Sequence, residues 1–194
     1  METLKVEFID VGETSELLDQ HGIKQQAQDD DHIFLRMADE SAPRKHLAVP
    51  GCDVEPLPGA DVVEFPLEQM PVVIDNILHK LHHNQLILFP VGRWRSIFDA
   101  VAFSMAENEE WQRIDAAATV ELNTRDPLLC DTGDLHLVCE LVKTLFHDSE
   151  SPDQGLLLVT AGIPLVMEVV PNGGVRITFG NEAVAEEVSE AITT

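Results

Sequence analysis

The feature that most constrains the fold is an uninterrupted apolar run near the end of the chain. Residues 156–160 read Leu-Leu-Leu-Val-Thr, with no charged residue at alternate positions. A strand with one face in water alternates polar and apolar side chains, whereas a strand covered on both faces reads as a continuous apolar run. We therefore expect this strand to lie inside a sheet that carries a packed layer on each side.

Two more strands and a helix are predicted after this run. Segments 165–170 and 175–179 are apolar or alternating, and they flank the sequence Pro-Asn-Gly-Gly at 171–174. Asn-Gly between apolar runs is a strong hairpin signal, because both residues tolerate a positive φ. Asn181 is then predicted to cap a last helix. The end of the chain is thus predicted to be a β-meander followed by a terminal helix.

Earlier segments mix helical and strand patterns. Apolar residues recur at helical spacing over 70–81, 97–105 and 135–145, and Ser96 with Asp99 resembles a capping pair. Shorter patterns predict a helix over 15–20, capped by Thr14 or Ser15, and a polar loop around Gln25, Gln26 and Gln28. Predicted strands are 4–9, 32–37, 46–49, 85–91 and 116–122. Because strands meet by hairpins as well as across helices, the predicted fold is α+β, with a mixed or largely antiparallel sheet and helices packed on it.

Residues 50–66 form the best candidate for a boundary inside the chain. This segment holds four prolines and two glycines, a density typical of an irregular crossing or a linker. It divides a small α+β portion at 1–65 from a main α+β domain at 66–194, unless the two form one continuous domain. With 194 residues, the chain is long enough for one sizeable core.

The charge of the chain is strongly one-sided. Asp and Glu number 35 against 12 Lys and Arg, which gives a formal net charge of −23 with His neutral. Binding to nucleic acid through a general basic surface is excluded, because that affinity comes largely from Lys and Arg. Adsorption to anionic membranes is disfavoured for the same reason. The acidic residues are interpreted as a solvated surface or an adaptation to a salty interior; the alternatives are a docking surface for a cationic partner or mimicry of nucleic acid.

Cysteine usage and the first residues indicate a cytoplasmic protein. The three cysteines, Cys52, Cys130 and Cys139, form no Cys-x-x-Cys motif, and an odd number suits reduced thiols. The chain begins Met-Glu-Thr-Leu-Lys-Val-Glu, which has acidic residues where a signal peptide needs basic ones. No apolar run is long enough to cross a membrane as a helix.

The densest group of metal-ligating residues lies near the end of the helix predicted over 70–81. Asp75, His79 and His82 fall on one side of that helix, and His79 and His83 are one turn apart, a spacing at which two imidazoles bind zinc. Lys80 stands where a zinc peptidase of the His-Glu-x-x-His type has its glutamate base, so that chemistry is disfavoured. The other interpretation is a polar face whose histidines interact favourably with the helix dipole.

A second candidate site is the predicted turn from a strand into a helix at 91–96. Arg93 and Arg95 can bind an anion there, Ser96 and the helix N-terminus offer hydrogen-bond donors, and Trp94 can stack on a planar ligand. The opposing interpretation is a pair of arginines held by surface carboxylates, which are abundant in this chain.

The sequence contains no motif that specifies a reaction. No Gly-x-Ser-x-Gly, Walker or dinucleotide-binding sequence is present, and Cys130 lies next to Asp131, whose charge disfavours its thiolate. No cofactor is predicted. The leading hypothesis is a non-catalytic interaction or structural module that contacts a protein partner or itself. The alternative is a protein or enzyme that binds a small phosphate-like anion at Arg93 and Arg95.

Overall fold

A computed structural model describes residues 7–27, 32–81, 85–118 and 124–193 of the chain. The strands in this part are β1 Glu7–Phe8, β2 Ile23–Ala27, β3 Ile33–Met37, β4 Arg44–Ala48, β5 Asp61–Glu64, β6 Gln85–Pro90, β7 Leu128–Asp131, β8 Leu156–Thr160, β9 Leu165–Val170 and β10 Gly174–Phe179. Eight of them form one sheet in the order β1-β7-β6-β8-β9-β10-β4-β5, in which β4 and β5 are parallel and all other neighbours antiparallel. A hairpin of β2 and β3 forms a separate two-stranded sheet.

Most of the helices share one apolar core with one face of the large sheet. This core joins Leu156 and Leu158 of β8 to buried residues of five helices, for example Ile77 and Leu141. Each helix contributes one apolar stripe and leaves its polar side in water. The helices with these bounds are α2 Met70–Lys80, α3 Trp94–Val101, α4 Glu109–Ala118, α5 Leu135–Asp148 and α6 Glu182–Thr193.

The other face of the sheet is covered only in part. Helix α1 (Val11–Gln20) and the β2–β3 hairpin pack on the apolar half formed by β6 and β8. Leu18, Ile23 and Leu35 contribute to this second, smaller core, together with Phe89 and Leu157 of the large sheet. The half formed by β9, β10 and β4 carries polar side chains on this face, and it contains the candidate site described below.

The predicted fold class is confirmed. The structure is α+β with a mixed, largely antiparallel sheet, and β8, β9 and β10 form a meander that leads into the terminal helix α6. All five residues of β8 are buried. Leu156 and Leu158 face the larger core, whereas Leu157 and Val159 face the smaller one, so this strand is covered on both sides as expected.

The hairpin between β9 and β10 forms where Asn-Gly predicts it. Asn172 adopts φ 59° and Gly174 adopts φ 106°. An ideal Cβ on Gly174 would lie 1.9 Å from the Leu47 carbonyl oxygen of the neighbouring strand β4. Glycine is therefore required at 174 both by the backbone angle and by the close approach of β4.

Two predicted elements differ from the structure in type. Gln25 and Gln26, predicted in a loop, lie in β2, because pairing with β3 stabilises a polar segment that has little strand preference of its own; Gln28 lies outside the described residues. The strand predicted over 116–122 is wrong for its first three residues, which end helix α4. Alanines there favour a helix, and the Asn108 side chain accepts from the Trp111 amide 2.9 Å away at its start. Residues 119–123 lie outside the described part.

Two predicted helix starts are also wrong. Helix α1 begins at Val11, and its cap is Asp10, whose carboxylate accepts from the Gly12 amide at 2.7 Å. Helix α3 begins at Trp94, so Ser96 lies inside its first turn and makes no capping pair with Asp99. In α3 the buried stripe begins with Trp94 itself, three residues before Ile97, so the helix starts upstream of the predicted position.

Strands from both sides of the predicted boundary join the same sheet. β4 pairs with β10, and β1 pairs with β7. The crossing at 50–66 also contains β5, which extends the sheet beyond β4. The division at this crossing stays a prediction. Among the residues that the structure describes, no helix is long and apolar enough to cross a membrane.

Candidate functional site

A groove opens over the polar half of the sheet, between the β2–β3 hairpin and the crossing at 50–66. Its volume is about 420 Å³, within the range of about 300–1,000 Å³ of small-ligand sites. Residues 34–37 of β3 form one wall, Leu57 and Pro58 form the opposite wall, and strands β8, β9, β10 and β4 form the floor.

The register of the strands arranges the floor in two rows. In the first row, Leu157, Glu168, Arg176 and His46 lie side by side across β8, β9, β10 and β4. The second row continues with Val159, Val166, Thr178 and Arg44. Directly opposed cross-strand side chains lie about 4.5–5.5 Å apart at Cβ. The floor therefore changes from apolar at β8 to charged at β10 and β4.

Three of the seven arginines of the chain line this groove. Arg44 and Arg176 belong to the floor, and Arg36 belongs to the β3 wall, where its guanidinium lies 5.2 Å from the Phe34 ring centroid. The acidic lining residues are Glu40 and Glu168. The groove thus carries one more positive than negative side chain, in a chain whose formal net charge is −23.

Arg176 is held from two sides. Its Nη1 lies 3.5 Å from the Glu168 carboxylate, and its Nη2 donates to the Glu55 carbonyl at 2.7 Å. Its Nε is buried, and the described part of the chain offers it no hydrogen-bond partner. A guanidinium has five N–H donors in a fixed fork that matches two oxygens of a carboxylate or phosphate. Arg176 is therefore positioned by the protein while it keeps donor capacity.

Glu168 competes for Arg176. Its side chain is 27% exposed, and burial raises the pKa of its carboxyl, while the adjacent Arg176 opposes this rise. The pair does not fully compensate the loss of hydration of the carboxylate. An anion in the groove would therefore compete with this half-buried carboxylate for Arg176.

Arg44 is oriented by neutral acceptors. Its Nη1 donates to the Pro58 carbonyl at 3.0 Å, and its Nη2 donates to the Glu40 carbonyl at 3.4 Å. Carbonyl groups fix the direction of a guanidinium without cancelling its charge. Arg44 and Arg176 together give the floor a fixed positive field that suits an anionic group.

His46 ends the first row beside Arg176, but its buried ring does not line the groove. Its ring is buried, and Nε2 lies 3.2 Å from the Gly173 carbonyl oxygen. Burial, with help from the Arg176 charge, lowers the pKa of this histidine. A neutral imidazole that donates from Nε2 has an acceptor at Nδ1, for which the described residues provide no donor.

The structure places the predicted turn at 91–96 away from this groove. Trp94 is fully buried: its Nε1 donates to the Asp126 carbonyl at 2.7 Å, and its ring packs against Phe8. The ring lies in the core and has no exposed face in this structure, and ligand stacking by Trp94 stays a prediction. Arg95 is exposed, and its Nε lies 3.8 Å from Asp99. The Ser96 amide donates to the Arg93 carbonyl at 3.0 Å. Anion binding by Arg93, Arg95 and Ser96 stays a prediction.

Half of the predicted metal cluster lies in the described part. His79 Nδ1 lies 3.1 Å from the Asp75 carboxylate, one helical turn away, and Asp75 also accepts from the Cys139 thiol at 3.2 Å. His82 and His83 lie outside the described residues. Within the described ranges, no group of three or more His, Cys, Asp or Glu side chains is placed to hold a metal ion.

Two of the three free cysteines, Cys130 and Cys139, have little nucleophilic character. Burial raises the pKa of Cys130 to about 12, with smaller contributions from Asp134 and Asp131. The pKa of Cys139 is likewise raised to about 12, first by burial and then by Asp75. The prediction that Cys130 makes a poor nucleophile is confirmed, although burial outweighs the neighbouring charge as its cause.

Sequence patterns did not indicate the three arginines of the groove as a site. Arg44 and Arg176 are distant in the chain and meet only because β4 pairs with β10. One signal was available: Arg176 and Thr178 alternate with the buried Val175, Ile177 and Phe179, which placed both on the opposite face of the sheet.

The chain matches no family model, no curated protein and no solved structure.

Proposed function

We propose that this protein is a non-catalytic binding module that holds a ligand by a carboxylate or phosphate group in the arginine-lined groove. The observation that carries the proposal is the convergence of Arg36, Arg44 and Arg176 on one concave site in a chain with 12 basic and 35 acidic residues. Arginines randomly placed in so acidic a chain would be paired with side-chain carboxylates. Arg44 is instead held by two backbone carbonyls.

Binding is favoured over catalysis by the chemistry of the ionisable groups. Glu168 is held in an ion pair with Arg176, and the pKa of about 12 for the thiols of Cys130 and Cys139 disfavours a cysteine nucleophile. We place this function in the cytoplasm, because all three cysteines are free and suit a reducing compartment. The acidic surface disfavours nucleic acid as the ligand, and the groove fits a small or extended anion.

The experiment is a thermal-unfolding comparison of phosphate, glutarate and chloride at matched ionic strength. A ligand that binds only the folded protein stabilises it by about 2.7 kcal/mol at a hundredfold excess over its Kd. We expect phosphate or glutarate to raise the Tm more than chloride does. Arg36→Ala and the double change Arg44→Lys with Arg176→Lys should reduce this excess, because lysine lacks the planar fork.

Two control variants separate the groove from charge effects and from the turn at 91–96. Arg113→Ala removes one positive charge from an exposed position on α4, outside the groove, and should leave the anion-specific rise unchanged. The double change Arg93→Ala with Arg95→Ala tests the competing site. Equal stabilisation by all three anions would refute the proposal. Loss of the rise in the Arg93/Arg95 variant alone would move the site to that turn.

A further inference from the structure

Within the described residues strand β3 pairs only with β2, in a two-stranded sheet, so one of its edges has no partner strand there. The Ile33 amide donates to the Val91 carbonyl at 2.7 Å, away from β2, whereas the Ala38 amide donates to Gly22 at 2.6 Å on the β2 side. Hydrogen-bonded and non-hydrogen-bonded pairs alternate along antiparallel strands. Leu35 and Met37, like Ile33, therefore turn their N–H and C=O groups away from β2.

This free edge faces the groove. Residues 34–37 line the groove without interruption, and such a continuous run marks the edge of a strand, because a strand face contributes only every second residue. No turn, loop or cap hydrogen bond in the described ranges uses the backbone groups of Leu35 or Met37. Two N–H donors and two C=O acceptors thus point into the groove at strand spacing. Such an edge is a template for an added strand.

The floor below this edge sets the side chains that such a strand would need. Successive side chains of a strand point to opposite faces, so every second residue of the ligand would face the floor. Leu157 and Val166, both almost fully buried, form the apolar end of the floor, and Arg44 and Arg176 beside them form the positive one. The floor therefore matches a strand in which a carboxylate side chain and an apolar side chain lie two residues apart.

We propose that the ligand is an extended peptide that adds to β3 as a strand and places one Glu or Asp side chain on Arg44 and Arg176. This inference rests on the anion-binding function proposed above and names its ligand class. A single carboxylate among uncharged residues fits best, because the net charge of −23 repels a polyacidic segment. The peptide backbone supplies the hydrogen bonds, and the alternating side chains supply the specificity.

The test uses a synthetic heptapeptide, acetyl-Thr-Val-Thr-Glu-Thr-Val-Thr-amide, with the full-length protein. Binding is measured by calorimetry, and amide hydrogen exchange is followed by NMR. At saturating peptide, we expect the Leu35 and Met37 amides to exchange at about one tenth of their rate in the free protein, or more slowly still. The Phe34 and Arg36 amides, which face β2, should change little. Replacing Glu by Gln in the peptide should weaken binding about tenfold.

Two N-methylated peptides test the strand directly. Methylation of one alternate set of amides should abolish binding, because it blocks the edge that faces β3, and methylation of the other set should be tolerated. Arg36→Ala, an exposed change, should weaken binding of the Glu peptide, while Arg113→Ala should not.

The outcomes separate the inference from the function on which it rests. If glutarate binds in an Arg44- and Arg176-dependent way but the peptide does not protect Leu35 and Met37, the strand inference is wrong and the anion-binding function stands. If both N-methylated peptides bind equally well, the strand inference is wrong too. If phosphate, glutarate and the peptide all fail to bind, both proposals are wrong.

Discussion

Glu168→Gln should tighten anion binding in the groove. Glu168 lies 3.5 Å from Nη1 of Arg176 and is 27% exposed. An anion on the same guanidinium would lie about 5 Å from this carboxylate, given hydrogen bonds of about 2.8 Å. Two like charges at that distance repel by roughly 3 kcal/mol at an effective dielectric constant of about 20. Because water in the open groove screens both charges, we expect this repulsion to be reduced to roughly 1–1.4 kcal/mol. The variant, which lacks the repulsion, should then bind the anion with a Kd about five- to tenfold lower.

The assay is calorimetric titration with sulfate, which stays fully ionised over the pH range used. Burial raises the pKa of Glu168 above its ordinary value of 4.5, so acidification neutralises the Glu168 carboxylate at a higher pH than it would neutralise an ordinary glutamate. The affinity difference between the variant and the wild type should be largest near neutral pH and should shrink as the pH falls. The control is Glu187→Gln, an exposed position on α6 that carries the same charge change. Weaker binding by Glu168→Gln, or an equal gain in the control, would refute the reasoning.

The same variant should also change the pH dependence of stability. Because the folded protein binds the Glu168 proton more tightly than the unfolded chain does, this proton contributes fully to stability below the ordinary pKa of 4.5. That contribution is lost as the pH rises through the raised folded value. The free energy of unfolding of Glu168→Gln should therefore increase relative to that of the wild type as the pH rises from about 4.5. A constant difference across this range would contradict the raised pKa.

Two further predictions concern the fold. Gly174→Ala should be severely destabilising, because φ is 106° and a Cβ would lie 1.9 Å from the Leu47 carbonyl oxygen; Gly162→Ala, at φ 88° with nothing within 4 Å of its Cβ, should cost only about 1–3 kcal/mol of backbone strain. Equal losses in urea unfolding would show that the contact with β4 is unimportant. Sodium chloride should raise the Tm between very low salt and about 0.15 M, because it screens the repulsion among 35 acidic residues. A Tm independent of salt would mean that these charges are individually compensated.

Local patterns were sufficient for the elements whose apolar residues repeat regularly. Helices α2 and α5, the meander from β8 to β10 and its hairpin at Asn172 all carry their signal within a few residues. Strand β2 carries none, because its polar residues become a strand only by pairing with β3. The sequence patterns predict no helix over α4, and they predict its last three residues as a strand, because alanines fit an apolar alternation as well as a helix.

The candidate site could not be predicted, because its residues are brought together by long-range pairing. Arg44 reaches the floor through the register that sets it opposite Thr178, and Arg176 through the hairpin that sets it beside Glu168. Arg36 arrives on a hairpin that belongs to a different sheet. The turn at 91–96 carries two arginines within three residues, a pattern that is visible in the sequence itself. Proximity in sequence is visible in a chain, whereas proximity across strands is not.

The most direct test of the central claim is an NMR titration that follows the Nε–Hε signal of Arg176. This group is buried and has no hydrogen-bond partner among the described residues, so an anion that binds the guanidinium should shift its resonance. We predict a saturable shift with sulfate or glutarate at constant ionic strength, with the Arg113 signal unchanged. A flat Arg176 signal throughout the titration, or saturable shifts confined to Arg93 and Arg95, would contradict the assignment of this groove as the binding site.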